Sequence, residues 1–170
     1  MNAHLARRAG RTGLTHVAAT KDICGVPLDS EYFDASGIEK TPDPGREVLL
    51  ARFELQSQYC GVFENFSQFV GNAEGDLLTV IHTPGLEWLI LVNRRPLSPF
   101  LKLDHIVNTW GLGGFPVAIR LDENAMVEFV VRNVNLAADS QIQKVGGRIT
   151  GRYWYNPAYG DANSRNGQFR

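Results

Sequence analysis

Apolar and polar residues alternate along short segments of the chain between Glu47 and Tyr155. Because successive side chains of a β-strand face opposite sides of a sheet, this period of two predicts strands with one buried face. Helical periodicity is nearly absent, and about seven to eight short strands can be counted. The pattern therefore predicts an all-β fold, an antiparallel two-sheet sandwich of the jelly-roll or Ig-like type. The clearest strands are residues 48–56, 117–121, 126–132 and 148–155.

Turn residues between the apolar segments predict two hairpins, 117–121 with 126–132 and 77–82 with 88–93. Trp88–Val92 is apolar on both faces. This predicts either a central strand or a strand whose second face meets another subunit, which makes Trp88 a candidate interface residue.

Two segments of the sequence each fit more than one structure. Residues 59–69 mix aromatic and polar side chains, which fits a strand with a bulge or an ordered loop. Residues 100–107 follow two prolines and fit either a strand or a single helical turn.

The polar ends of the chain predict one domain with two arms. We expect an extended N-terminal arm over residues 1–46, the sandwich over residues 47–156 and a C-terminal tail over residues 157–170. Prolines and glycines recur in residues 22–46, which predicts an extended path without regular structure.

The first 21 residues carry four basic side chains and no acidic one: Arg7, Arg8, Arg11 and Lys21. One interpretation is a solvated terminus. The other is a basic extension that becomes ordered against an acidic neighbour or nucleic acid. Arg7, Arg8 and Arg11 are therefore candidate interface residues.

Length and composition favour a single domain. The chain has 170 residues, 44% of them apolar, and a net charge of −1. This near-neutral balance gives no overall attraction to nucleic acid or membrane, so we expect neither a specific nucleic-acid partner nor a membrane. No apolar run reaches the roughly 18 residues of a membrane span, and the N-terminus lacks the apolar stretch of a secretory signal, which predicts a soluble protein.

No group of residues predicts a catalytic, metal or cofactor site. The four histidines have neither strand-face nor helix-face spacing, and Asp104 and His105 point apart if they lie on a strand. The glycine clusters are not followed by a phosphate-loop lysine, so they predict bends. Cys24 and Cys60 can form a disulfide, although two free thiols are the commoner outcome.

Aromatic and arginine residues gather near the C-terminus. Alternation places Tyr153 and Tyr155 in the core, with Trp154 on the outer face beside the arginines. Trp, Tyr and Arg dominate buried protein contacts, which favours an interface over a ligand-stacking platform. The candidate interface residues here are Arg148, Arg152, Trp154 and Tyr159.

Residues 115–133 and 145–156 give the chain a resemblance to β-sandwich virion proteins of tailed bacteriophages. In those proteins an apolar strand closes in a polar Asn, and a late Gly-Arg-Tyr strand completes the sheet. The resemblance implies a non-enzymatic structural subunit located in the virion, as a capsid decoration or a neck or tail component. Its partners would be copies of itself and neighbouring virion proteins, attached through the terminal arms.

A carbohydrate-binding β-sandwich module is the alternative function. It would bind a glycan at a rim through exposed aromatic side chains: Trp110, Trp154, Tyr155 or Tyr159. An enzyme built on the same scaffold is a third hypothesis, because a sandwich can hold a site that no linear motif shows.

Overall fold

The computed structural model describes residues 26–27, 30–78, 83–97 and 114–156. Within these ranges the chain is all-β and forms two antiparallel four-stranded sheets, which confirms the predicted sandwich. The strands are β1 (Glu31–Lys40), β2 (Glu47–Glu54), β3 (Tyr59–Gly71), β4 (Leu86–Val92), β5 (Arg95–Pro96), β6 (Phe115–Leu121), β7 (Met126–Asn133) and β8 (Lys144–Tyr155).

The strand order identifies the sandwich as a jelly roll. One sheet has the order β1-β8-β3-β6 and the other β2-β7-β4-β5. The first strand therefore pairs with the last, the second with the seventh, the third with the sixth and the fourth with the fifth. An antiparallel ribbon rolled up on itself gives this arrangement, and an Ig-like sandwich does not.

Strand β1 shifts the start of the sandwich from Glu47 to Glu31. It pairs with β8 along its whole length without a register shift, so the prediction that residues 22–46 lack regular structure is wrong here. Its inner face carries Phe33, Ala35 and Gly37, and only Phe33 is large. With one large apolar side chain on its inner face, β1 shows only weak alternation in the sequence. The nearby prolines and glycines favour an irregular structure over a strand.

The predicted hairpin of residues 117–121 and 126–132 is also wrong. Strand β6 pairs with β3 and strand β7 with β2 and β4, so the two strands belong to opposite sheets. The tight turn between them, in which Ala125 N–H donates to Asp122 O at 3.1 Å, is a corner that joins the sheets.

Strand pairing in the structure decides the predictions for β3 and β4. Strand β4 lies between β7 and β5, which confirms a central strand. The 77–82 half of its predicted hairpin is only partly described, and Leu77 pairs with Gly71 instead. Strand β3 is a strand with a bulge, because its register against β6 and β8 shifts between Phe63 and Asn65. Residues 100–107 lie outside the described part.

Large side chains from both sheets fill the space between them. Trp88, Phe63, Phe66 and Phe129 are essentially inaccessible to water. Each such burial stabilises the fold by roughly 1.5–3 kcal/mol relative to an exposed side chain. Gly147 provides room for Phe129, since a Cβ there would lie 2.9 Å from Cε1 of that ring. Among the described residues, the middle of the sandwich is a packed core.

Candidate functional site

The outer face of β8 presents the arginines and the tryptophan that the sequence predicts. Arg148, Arg152 and Trp154 occupy alternate positions, while Ile149 on the opposite face is completely buried. The period-two arrangement of these residues is therefore as expected. Whether they contact a partner stays a prediction.

Arg148 is held in place by a carboxylate of the neighbouring strand. Its Nε donates to Asp34 Oδ1 at 2.8 Å, and its Nη2 donates to Asp34 Oδ2 at 2.5 Å. This bidentate hydrogen bonding lowers the pKa of Asp34 and raises the pKa of Arg148. Both side chains are about half exposed, so water screens the pair and its contribution to stability is small.

Arg152 is paired on the other side of β8. Its Nε and Nη2 donate to Glu64 Oε1 at 2.8 and 2.5 Å. Glu64 lies at the β3 bulge, between the two positions where the register shifts. Bulges re-aim the side chains of the strand that carries them, and here the carboxylate meets the guanidinium. Two ion pairs thus join β8 to β1 and to β3, so neither guanidinium is an uncompensated charge for an acidic partner.

Trp154 lies opposite Cys60 in the β3–β8 register, and both side chains belong to the outer face. Cys60 is buried and not part of a disulfide. Burial raises the pKa of its thiol, which makes the reactive thiolate scarcer. Cys24 lies outside the described residues.

Two aromatic residues differ from their predicted locations. Trp88 points into the core, where its Nε1 donates to Thr83 Oγ1 at 3.0 Å. It cannot contact a partner, so its prediction as an interface residue is wrong. Tyr155 is predicted in the core but is 50% exposed, and it lies beyond Tyr153, the last residue of β8 that pairs with β1.

Several predicted residues lie outside the described part of the chain, and their structure stays a prediction. They are Arg7, Arg8, Arg11, His4, His16, His82, His105, Trp110 and Tyr159. The C-terminal tail lies outside it as well. Among the described residues, no group of three or more His, Cys, Asp or Glu side chains could hold a metal ion. The same ranges hold no helix long and apolar enough to cross a membrane.

An aromatic cleft at one end of the sandwich was not predicted. It has a volume of about 160 Å³ and is lined by Glu31, Phe53, Glu54, Leu55, Gln56, Tyr59 and Tyr153. A row of contacting aromatic rings connects the core to the cleft. Phe33 stacks on Phe53 with 3.8 Å between ring centroids, and the centroids of Phe53 and Tyr153 are 5.7 Å apart. Tyr59 contacts both Tyr153 and the exposed Tyr155.

The cleft combines ring faces with carboxylates. Tyr153 Oη donates to Glu31 Oε2 at 2.6 Å, and this hydrogen bond raises the pKa of the phenol. Four strands contribute the lining, so no linear motif could reveal it. The one available signal is that Phe53, Tyr59 and Tyr153 fall near strand ends.

No family model matches the chain, and no curated protein or solved structure matches it either. Its function has to be inferred from its own fold and surface. The described part offers two surfaces, the ion-paired outer face of β8 and the aromatic cleft.

Proposed function

We propose that this chain is a non-enzymatic structural subunit of a bacteriophage virion, either a capsid decoration or a neck or tail component. The observation that carries the proposal is the strand order of the two sheets. Double-sheet jelly rolls of eight strands build many viral capsid proteins. The resemblance of residues 115–133 and 145–156 to phage virion proteins gives independent support.

The packed interior favours a structural role over the other uses of this fold. A jelly roll that binds a small molecule between its sheets needs a cavity there. Here Trp88, Phe63 and Phe129 occupy that space. The charged outer face of β8 is already compensated by its own sheet. Such a body suits repeated packing against neighbours.

The ends of the chain would attach this body to the particle. Residues 1–21 carry net positive charge, and Arg7, Arg8 and Arg11 would bind an acidic neighbouring surface in a salt-dependent way.

Mass spectrometry of purified particles tests the proposal. Particles of the phage that encodes the chain should contain it in stoichiometric amounts. Finding it in infected cells but not in washed particles would overturn the virion role. Deletion of residues 1–21 should abolish incorporation while the purified variant keeps the thermal stability of the parent. Normal incorporation of that variant would refute attachment through the arm.

The aromatic cleft favours a second candidate function, carbohydrate binding. Exposed rings stack on sugar faces, and carboxylates accept hydrogen bonds from sugar hydroxyls. A glycan array with the full chain would test it, with Tyr153→Ala as the cleft variant. Trp154→Ala is the matched control, because it changes the neighbouring residue on the opposite face of β8. Binding lost only in Tyr153→Ala would support this function, and no binding to any glycan would remove it.

A further inference from the structure

Strand β1 has one open side. It is the end strand of its sheet and, among the described residues, has β8 as its single sheet neighbour. In an antiparallel ladder, backbone groups of alternate residues point to the same neighbour. Thr41 N–H, which donates to Gln143 O at 2.9 Å, places the odd-numbered residues of β1 toward β8. The bond from Asn156 N–H to Gln58 O, at 2.8 Å, gives the same alternation from the β3 side.

The backbone N–H and C=O groups of even-numbered β1 residues therefore point to the open side. The same residues carry the outer-face side chains Tyr32, Asp34, Ser36, Ile38 and Lys40. Two of these are exposed apolar groups: Tyr32 is 77% and Ile38 is 47% accessible.

The other three edge strands are protected against pairing with another chain. Strand β2 has a register shift between Leu49 and Ala51. Strand β5 is two residues long and ends in Pro96. Strand β6 contains Pro116, and its pairing with β3 is interrupted by a register shift between Phe63 and Asn65. Proteins use short strands, prolines and bulges to block edge pairing. The ten residues of β1 contain no proline and no register shift, and the charged side chains on its outer face, Asp34 and Lys40, are of opposite sign.

The sequence of β1 is complementary to itself in one antiparallel register. With Gly37 opposite the Gly37 of a second copy, Asp34 of each chain, which Arg148 of its own chain also binds, lies opposite Lys40 of the other. Ser36 then faces Ile38, and the two Asp34–Lys40 pairs form the ends of the paired segment within β1. Opposite charges directly across a pair of strands are stabilising.

Neighbouring registers lack this complementarity. A register with Ala35 at the centre sets Glu31 against Glu39 twice, and one with Ser36 at the centre forms no ion pair.

The residue opposite Lys40 within the chain is also a lysine. Lys40 pairs with Lys144 in the β1–β8 register, and like charges directly opposite each other are in general destabilising. A carboxylate from a second copy would give Lys40 an opposite charge across the new strand pair.

We propose that two copies of this chain pair antiparallel through β1 about a twofold axis at Gly37. The pairing joins two four-stranded sheets into one continuous sheet and uses β-strand addition as its recognition mode. The partner is a second copy because the strand complements itself in charge in this register. This specifies the contact between copies that the proposed function includes, but its argument rests on β1 alone.

Sedimentation velocity on the full chain, over roughly 1 μM to 1 mM, measures the pairing. The parent should form a species of twice the 18.9 kDa chain mass. Ser36→Pro removes an N–H that points to the open side, so it should be monomeric with an almost unchanged melting temperature. Ala35→Pro is the matched control, because it removes an N–H bonded to β8 and should lower the melting temperature sharply.

Lys40→Glu gives a second test that does not depend on proline. It places a carboxylate opposite Asp34 of the second copy, so dimerisation should weaken by about tenfold or more. Within its own chain it replaces the repulsion from Lys144 with attraction, so the folded monomer should be at least as stable as the parent.

Disulfide cross-linking fixes the register. In a Cys24→Ser background, a mixture of Ser36→Cys and Ile38→Cys variants should give the mixed disulfide, because opposed residues lie about 5.5 Å apart at Cα. Faster cross-linking of Ser36→Cys with itself would overturn the register.

A parent that stays monomeric throughout the series, or a Ser36→Pro variant that dimerises like the parent, would overturn the pairing. These results are separate from the virion test. A monomer can still be found in particles, and a dimer can still be absent from them.

Discussion

The hydrogen bond of Trp88 is the most direct probe of the packed core. Trp88 Nε1 donates to Thr83 Oγ1 at 3.0 Å, and both residues are buried, at 0% and 5% exposure. Thr83→Val replaces the hydroxyl with a methyl group of similar size. The indole N–H then stays in a dry environment without this acceptor.

The expected loss of stability follows from the unsatisfied N–H donor of Trp88. Leaving a buried donor unsatisfied lowers the free energy of unfolding by about 1–3 kcal/mol. For a domain of this size, each kcal/mol lowers the melting temperature by about 2–4 °C. Thr83→Ser keeps the hydroxyl and removes one methyl group, so it should lose about 0.8 kcal/mol.

Urea unfolding of four proteins measures the interaction: the parent, Thr83→Val, Trp88→Phe and the double variant. Phenylalanine has no indole N–H, so Thr83→Val should cost little in the Trp88→Phe background. The coupling free energy should therefore be about 1 kcal/mol or more. A Thr83→Val variant with the urea midpoint of the parent would refute the reasoning. Equal losses in the two backgrounds would also refute it.

Three further effects follow from the same structure. Asp34→Asn should lower stability by about 0.2–1 kcal/mol at neutral pH. Pairing with Arg148 lowers the pKa of Asp34 in the folded protein. The pair therefore stabilises the fold fully at pH values above the ordinary aspartate pKa near 3.9, and this stabilisation disappears as the pH falls through the lowered folded-state pKa. At that low pH the urea midpoints of parent and variant should converge. In Cys24→Ser, the Cys60 thiol should react with an aromatic disulfide reagent far more slowly when folded than in urea, and equal rates would contradict its burial. Gly147→Ala should cost about 1–3 kcal/mol through overpacking against Phe129, and an unchanged melting curve would show that the ring can move.

The sequence pattern predicts the class of fold and the strands whose inner faces are large and apolar. Alternation in β7 and β8 is clear because one face of each is buried under the opposite sheet, whereas the register shift at Leu49–Ala51 interrupts it in β2. Alternation cannot assign a strand to a sheet, however. Leu121 and Val127 are both fully buried, yet they belong to strands of opposite sheets. A tight turn between such strands predicts a hairpin as readily as a corner.

The candidate surfaces show the same limit. The outer positions of Arg148 and Arg152 follow from the period of one strand, so the sequence predicts them. Their partners come from other strands, and one partner, Glu64, depends on a bulge that shifts the register by one residue. The aromatic cleft requires the ends of four strands to meet. Such groupings depend on topology, and a single sequence contains no direct signal of it.

Amide hydrogen exchange along β1 can test both the direction of its backbone groups and the proposed pairing of two copies. In monomeric Ser36→Pro, amides at odd positions 33–39 should be protected, because they point to β8, and those at the remaining even positions should exchange rapidly. In the parent at high concentration, the even positions 34–40 should become protected as well, since a second strand would accept their hydrogen bonds. Dilution of the parent should restore fast exchange at those positions alone. Protection of the even positions in the monomer would contradict the assignment of the open side. Slow exchange that does not depend on concentration would point to a segment of the same chain on this edge.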